Sequence, residues 1–194
     1  MSAVSVLDDI ARRVAGCTAC DLAATRSTTV PGSGGADARL VLVGEAPGAD
    51  EDRGGLPFIG RSGSLLLGVL AEETGLTRDE VFITNTVKCR PPANRDPRSS
   101  ELASCRGFLV EQLAVLSKSA ACVVTVGNVA TRSVLGTAEG IMTLRGTPVE
   151  VPGIAAPVLP TIHPAAALRG GPEVLALLRD DLALVARMLE GAAA

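Results

Sequence analysis

The 194-residue chain is 47% hydrophobic but only 2% aromatic, without Trp or Tyr, so Leu, Val, Ile and Ala must build its interior. Its net charge of −3 excludes a protein-wide positive field, and any grip on nucleic acid must come from a local basic patch. The length suits one domain over residues 1–194 with a proper core.

The opening stretch, MSAVSVLDDIARRVAG, is interrupted by Asp8, Asp9, Arg12 and Arg13 and lacks the apolar core of a signal peptide. Residues 1–30 are expected to form a helix and a segment carrying Cys17 and Cys20. VPGSGGADA then reads as a flexible loop. Four runs read as strands: ARLVLVG (38–44), VFITNTV (81–87), ACVVTVG (121–127) and PVLPTI (157–162). Their continuous apolar character fits strands buried on both faces of a parallel sheet. Helices are expected in RSGSLLLGVLAEETGL after the first, in DPRSSELASCRGFLVEQLAVLSK after the second and in NVATRSVLG after the third. In the second of these Asp96 is the expected N-cap and Pro97 the first helical residue. A last helix over 171–194 shows one apolar face through Leu175, Leu178, Leu182, Val185 and Leu189. The 21 residues from Pro148 to Leu168 are apolar but contain five prolines, which argues against a membrane helix. The chain reads as soluble and intracellular. Alternating strands and helices predict an α/β fold, three layers α/β/α around a four-stranded, mainly parallel twisted sheet.

Four polar loops follow the four strands: GEAPGADED, the TNTVKCRPPANRDP region, GNVAT and HPAAALR. Open α/β sheets bind ligands at the carboxyl ends of their strands, so these loops predict one site. Cys17 and Cys20 form C-x2-C, and Cys89 and Cys105 follow. Two close thiolates plus two from elsewhere can serve an iron-sulfur cluster or a zinc ion, with unligated thiols as the alternative. Cys105 falls on the Leu102 and Leu109 side of its helix and should face inward. Cys122 reads as a small core residue.

VGEAPGADED, PFIGRSG, TNTVKCRPPANRDP, LRGTPV and HPAAALR, with four cysteines in this order, resemble the family 4 uracil-DNA glycosylases, bacterial and archaeal repair enzymes. The likeness runs from Cys17 to the final helix. It implies a monomeric cytosolic enzyme, cytoplasmic or nucleoid-associated, acting on uracil-containing DNA, single- or double-stranded. It also implies that Cys17, Cys20, Cys89 and Cys105 hold a structural [4Fe-4S] cluster.

The resemblance assigns roles residue by residue. Phe58 stacks on the flipped base, Asn85 reads the uracil edge, and Gly44 and Gly48 line the base pocket. Glu45 and Asn94 orient the attacking water, Glu51 stands near uracil C5 where it would crowd a thymine methyl, and His163 donates to the departing base. A related branch of the superfamily has an aspartate where this chain has Ala46, which leaves the general base open. Lys88, Arg90, Arg95, Arg98, Arg145 and Arg169 are the expected phosphate contacts. Leu168 is the expected wedge, with Ala167 or Arg169 as alternatives. Ala93 and Ile162 depart from a usual Gly and a common aromatic. A DNA-crosslinking relative would need an inserted arginine-rich loop and a second histidine, and this chain has one histidine. The rival from another class is a catalytically silent iron-sulfur DNA-binding module.

Overall fold

A computed structural model of the chain describes residues 2–192. The four apolar runs form β1 (Leu40–Gly44), β2 (Val81–Asn85), β3 (Cys122–Val126) and β4 (Val158–Thr161). Every strand residue is buried, which is why the runs do not alternate in polarity: neither face of this sheet meets water. The strands pair in parallel in the order β2-β1-β3-β4.

Seven α-helices are found among the described residues: α1 (Ala3–Ala15), α2 (Ala49–Gly54), α3 (Arg61–Thr74), α4 (Ser99–Leu116), α5 (Asn128–Leu135), α6 (Ile141–Leu144) and α7 (Pro164–Gly191). Alternate strand residues divide them into layers. Leu40, Leu42, Ile83 and Val124 face Leu66 and Leu70 of α3 and Leu178 and Leu182 of α7. Val41, Val43, Phe82 and Val123 face Leu109 and Leu113 of α4 and Ala130 and Val134 of α5. Each such aliphatic side chain contributes roughly 1.5–3 kcal/mol when taken fully out of water. The expected three-layer α/β/α arrangement is therefore present. No helix among the described residues is long and apolar enough to cross a membrane.

Two helix boundaries differ from expectation. α4 begins at Ser99, because Glu101 turns back to accept the Arg98 N–H at 2.7 Å, making Arg98 rather than Asp96 the N-cap. The last helix begins at Pro164, well before residue 171, capped by His163. Gly171, at φ +73° and ψ −163°, breaks it ahead of Pro172. The expected 171–194 helix is thus the second arm of α7, and residues 193 and 194 lie outside the described residues. Leu178, Leu182, Val185 and Leu189 are buried on that arm, as their spacing predicted.

The strand order reverses beside β1. The chain leaves β1 for β2 on one side and returns to β3 on the other, so the connections part above the carboxyl ends of β1 and β3. A crevice opens at that switch point.

Candidate active site

The crevice is lined by Glu45 to Gly48 after β1, by Asn85 at the end of β2, by the Pro91–Asp96 segment, by Gly127 and Asn128 after β3, and by Ile162 and His163 after β4. Phe58, Glu51, Met142 and Arg169 complete it. All four polar loops singled out in the sequence therefore reach one place.

Asn85 and Phe58 meet across a glycine. A Cβ on Gly44 would lie 2.4 Å from the Asn85 Oδ1 and 2.6 Å from the Phe58 ring, so only glycine lets both approach the strand end. Asn85 is 2% exposed, yet among the described residues its carboxamide has no protein hydrogen-bond partner, and no fully buried side-chain polar atom is left unpaired. Its amide therefore opens into the crevice with its donors and acceptor unspent, a state that burial penalises unless a ligand completes it. Phe58 presents a flat apolar face beside it and adopts a φ of +52°.

His163 caps α7, its Nδ1 accepting the Ala165 N–H at 3.1 Å. With Nδ1 engaged as an acceptor, the neutral ring carries its proton on Nε2. Burial, and then the nearby Arg169 charge, lower the histidine pKa, so the ring is a neutral donor at neutral pH. Gly127 gives it room: a Cβ there would sit 3.0 Å from that of His163.

Burial, with Asp96 adding repulsion, raises the Glu45 carboxyl to about 7. Asn94 stands across the crevice at φ +54°. Its Oδ1 accepts from Arg90 Nε at 2.7 Å, leaving the amide NH2 to donate. Glu51 is fixed by three backbone amides, those of Gly48 at 3.0 Å, Ile59 at 3.0 Å and Gly60 at 2.9 Å.

Residues 31–183 match the family model described as the uracil DNA glycosylase superfamily. The chain is 41% identical over 165 residues to a type-4 uracil-DNA glycosylase of Thermotoga maritima, covering 84% of each chain. The same name belongs to a protein of Archaeoglobus fulgidus, 42% identical over 168 residues with 84% and 83% of the two chains covered. A third, from Saccharolobus solfataricus, is 39% identical over 189 residues, covering 94% of this chain and 86% of its own. The chain belongs to the uracil-DNA glycosylase superfamily, in its type-4 branch.

The sheet of this superfamily member is accordingly the uracil-DNA glycosylase-like fold, and a second concavity lies beside the crevice. Cys17, Cys20, Cys89 and Cys105 line it together, walled by Val14, Leu22, Val87 and Phe108. Arg26 donates to Cys89 Sγ at 3.2 Å and the Lys88 N–H to Cys105 Sγ at 3.3 Å. Burial pushes the Cys89 thiol up and the Cys105 thiol to about 11, so a metal taking them must displace protons. Among the described residues no three His, Cys, Asp or Glu side chains close on one point to hold a single ion. Cys122 is fully buried in the core, as expected.

Two expected phosphate contacts of this glycosylase-family chain are placed otherwise. Lys88 is 1% exposed, and its ammonium donates to Thr84 Oγ1, the Asn85 carbonyl and Gln112 Oε1 at 2.6–2.7 Å. Its place at the turn out of β2 points it into the fold, so it braces the Asn85 backbone and cannot reach a phosphate. Arg145 is bound to the buried Asp181 at 2.7 Å and to the Leu177 carbonyl, tying α6 to α7. Arg95 does line the crevice, bound in a fork to Glu101, which that partner holds at about 2, and it locks the Pro91–Pro97 loop. Arg169 is exposed at the crevice with no ion pair among the described residues. Ala167 is buried and Leu168 is 40% exposed, so of the three wedge candidates Ala167 drops out. Met142, 64% exposed on α6, also lines the crevice, although no motif in the sequence marks it. Arg78 is likewise unmarked in the sequence, because its partners Pro57 and Phe58 lie about 20 residues away.

Proposed function

We infer that this chain is a DNA-repair glycosylase that flips uracil out of DNA and hydrolyses its N-glycosidic bond, leaving an abasic site. The observation that carries this reading is the unspent carboxamide of Asn85 beside the Phe58 ring, joined across Gly44. A flipped base enters the crevice and stacks on that ring. One carboxamide accepts from uracil N3–H and donates to O4, while cytosine reverses both groups and leaves the site unpaired. Glu51, immobilised by its three amides, makes a rigid wall on the side where a thymine methyl would need room.

As the C–N bond breaks, negative charge builds on the base and positive charge on the sugar. His163 Nε2–H donates to O2 where the negative charge develops. The Glu45 carboxylate stabilises the oxocarbenium-like sugar and, with the free amide of Asn94, orients the water that adds to it. Leu168 fills the gap left by the base, and Arg90, Arg98 and Arg169 hold phosphates.

The cysteine concavity fits a [4Fe-4S] cluster. Each thiolate binds a different iron in such a cluster, so four sulfurs ringing a cavity suit it better than a single ion, and the Arg26 and Lys88 donors offset the thiolate charge. Bound there, the cluster supplies a brace between the α1 segment and the turn after β2. An oligonucleotide with one uracil, single-stranded or opposite guanine or adenine, tests the reading. Alkali-labile cleavage at that position is expected, and none from cluster-loaded protein overturns it.

A further inference from the structure

Phe58 sits where an L-residue is strained. Its φ of +52° is a left-handed conformation that costs a bulky residue free energy and persists only when its surroundings fix it. Two charged side chains do so from opposite ends of the same short segment. Arg78, on the 3-10 turn Arg78–Glu80 before β2, donates to the Pro57 carbonyl at 2.6 Å and more loosely to the Phe58 carbonyl at 3.4 Å. Glu51 accepts the next two amides, Ile59 and Gly60. Gly63 completes the seat, since a Cβ there would lie 2.3 Å from the Phe58 carbonyl oxygen. Arg78 itself does not line the crevice, so it has no contact of its own to offer a base.

We propose that Arg78, working with Glu51, is a positioning residue that clamps the Phe58 backbone so that its ring lies across Gly44 beside the Asn85 carboxamide. The proposal rests on the base-stacking reading of Phe58 given above. Arg78 binds carbonyls and Glu51 binds amides, and the two act on adjoining peptide groups, so together they hold the left-handed turn against relaxation. A fork of two guanidinium nitrogens on successive carbonyls suits arginine; a lysine can hold only one. The ring then meets a flipped base already in place, and displacement by about 1 Å at such a site costs as much as 10²-fold in rate.

The chain has three phenylalanines and neither Trp nor Tyr, so fluorine-labelled phenylalanine gives three lines, assignable by substitution. Phe108, remote on α4 under Arg13, is the internal reference. Arg78→Met is expected to shift or broaden the Phe58 line while sparing that of Phe108. It should lower kcat/KM for uracil excision about 10- to 100-fold, and Arg78→Lys should fall between it and wild type. In a Phe58→Leu background the Arg78 substitution should have no further effect on excision, whereas a general loss of structure would carry over. Where Arg78→Met does not fold, Arg78→Lys carries the same comparisons. An unchanged Phe58 line, or a loss of excision equally large without the ring, overturns the clamp. Failure of the wild-type protein to excise uracil would instead overturn the functional reading, and the fluorine line would still decide the clamp.

Discussion

The wall of the crevice and the shell behind it are built from the same residue types put to opposite use. Asn85 holds its carboxamide free, while Gln112 spends both ends of its own, accepting from Lys88 and Thr84 and donating to the Pro31 carbonyl. Glu45 has its carboxyl raised to about 7, whereas Glu101, gripped by Arg95, is held at about 2. Arg169 projects at the mouth, and Arg145 is consumed by Asp181. On the wall, hydrogen-bonding capacity is left open at Asn85, Glu45 and Arg169, while Gln112, Glu101 and Arg145 behind them are already satisfied and hold those open groups in place. Residue type alone does not tell the two apart.

The sharpest way to break this contrast is to exchange one carboxamide from each region. Asn85→Ala should lower kcat/KM for uracil excision by at least about 10³-fold, since an oriented edge reader contributes in the transition state and discriminates against the wrong base. Its Tm should barely move, because the lost group holds nothing in the free protein. Gln112→Ala should do the reverse, lowering Tm by leaving the Lys88 ammonium short of an acceptor while excision by the folded protein stays within about tenfold of wild type. Comparable thermal losses in the two variants would show that the Asn85 amide is structural after all.

A second contrast lies between the two glutamates and is read by pH. The ionised form of Glu45 is the one that stabilises the sugar cation, and burial has raised its pKa. As pH falls through about 7, Glu45 takes a proton and excision should decline tenfold per unit. His163 is shifted the other way, so its protonation adds a second loss at lower pH. Glu45→Gln should reduce the rate and erase the upper break; retention of that break assigns it elsewhere. Glu101 stays ionised over this whole range and contributes no inflection.

The sequence carried the layers and the location of the site further than it carried the roles of its charges. Strands buried on both faces leave an uninterrupted apolar run, so β1 to β4 were legible within a residue or two at most ends. The polar loops after them converge because a parallel sheet puts all its carboxyl ends on one edge. Lys88 was not legible: it stands between a pocket residue and a cysteine in an arginine-rich stretch, and only the turn out of β2 aims it inward. Arg145 and Asp181 are 36 residues apart, and Arg78 meets Pro57 across 21, so no local pattern announces either pairing. The start of α4 hides for a local reason: Asp96-Pro97 has good capping chemistry, but the Glu101 carboxylate accepts the Arg98 N–H and sets the N-cap there instead.

The smallest effect, that of Arg169, is sharpened by setting it against the buried Arg145, and salt is the variable that separates them. A side chain that neutralises a phosphate releases a counterion on binding, so its removal lowers the slope of log K against log salt by about one. Arg169→Ala should therefore weaken binding to uracil-containing DNA modestly, flatten the slope by about one and leave Tm unchanged. It should also relieve part of the downward pull on His163, moving the lower break of the pH profile upward. Arg145→Ala leaves the slope alone and strands Asp181, which is 1% exposed, without its cation. An unpaired buried charge of that kind costs about 3–5 kcal/mol, which at this chain length lowers Tm by roughly 6–20 °C. Both effects cannot come from one mechanism: a phosphate contact responds to salt and not to heat, and a buried brace responds to heat and not to salt. A flattened slope in Arg145→Ala would mean that its pairing with Asp181 opens when DNA binds.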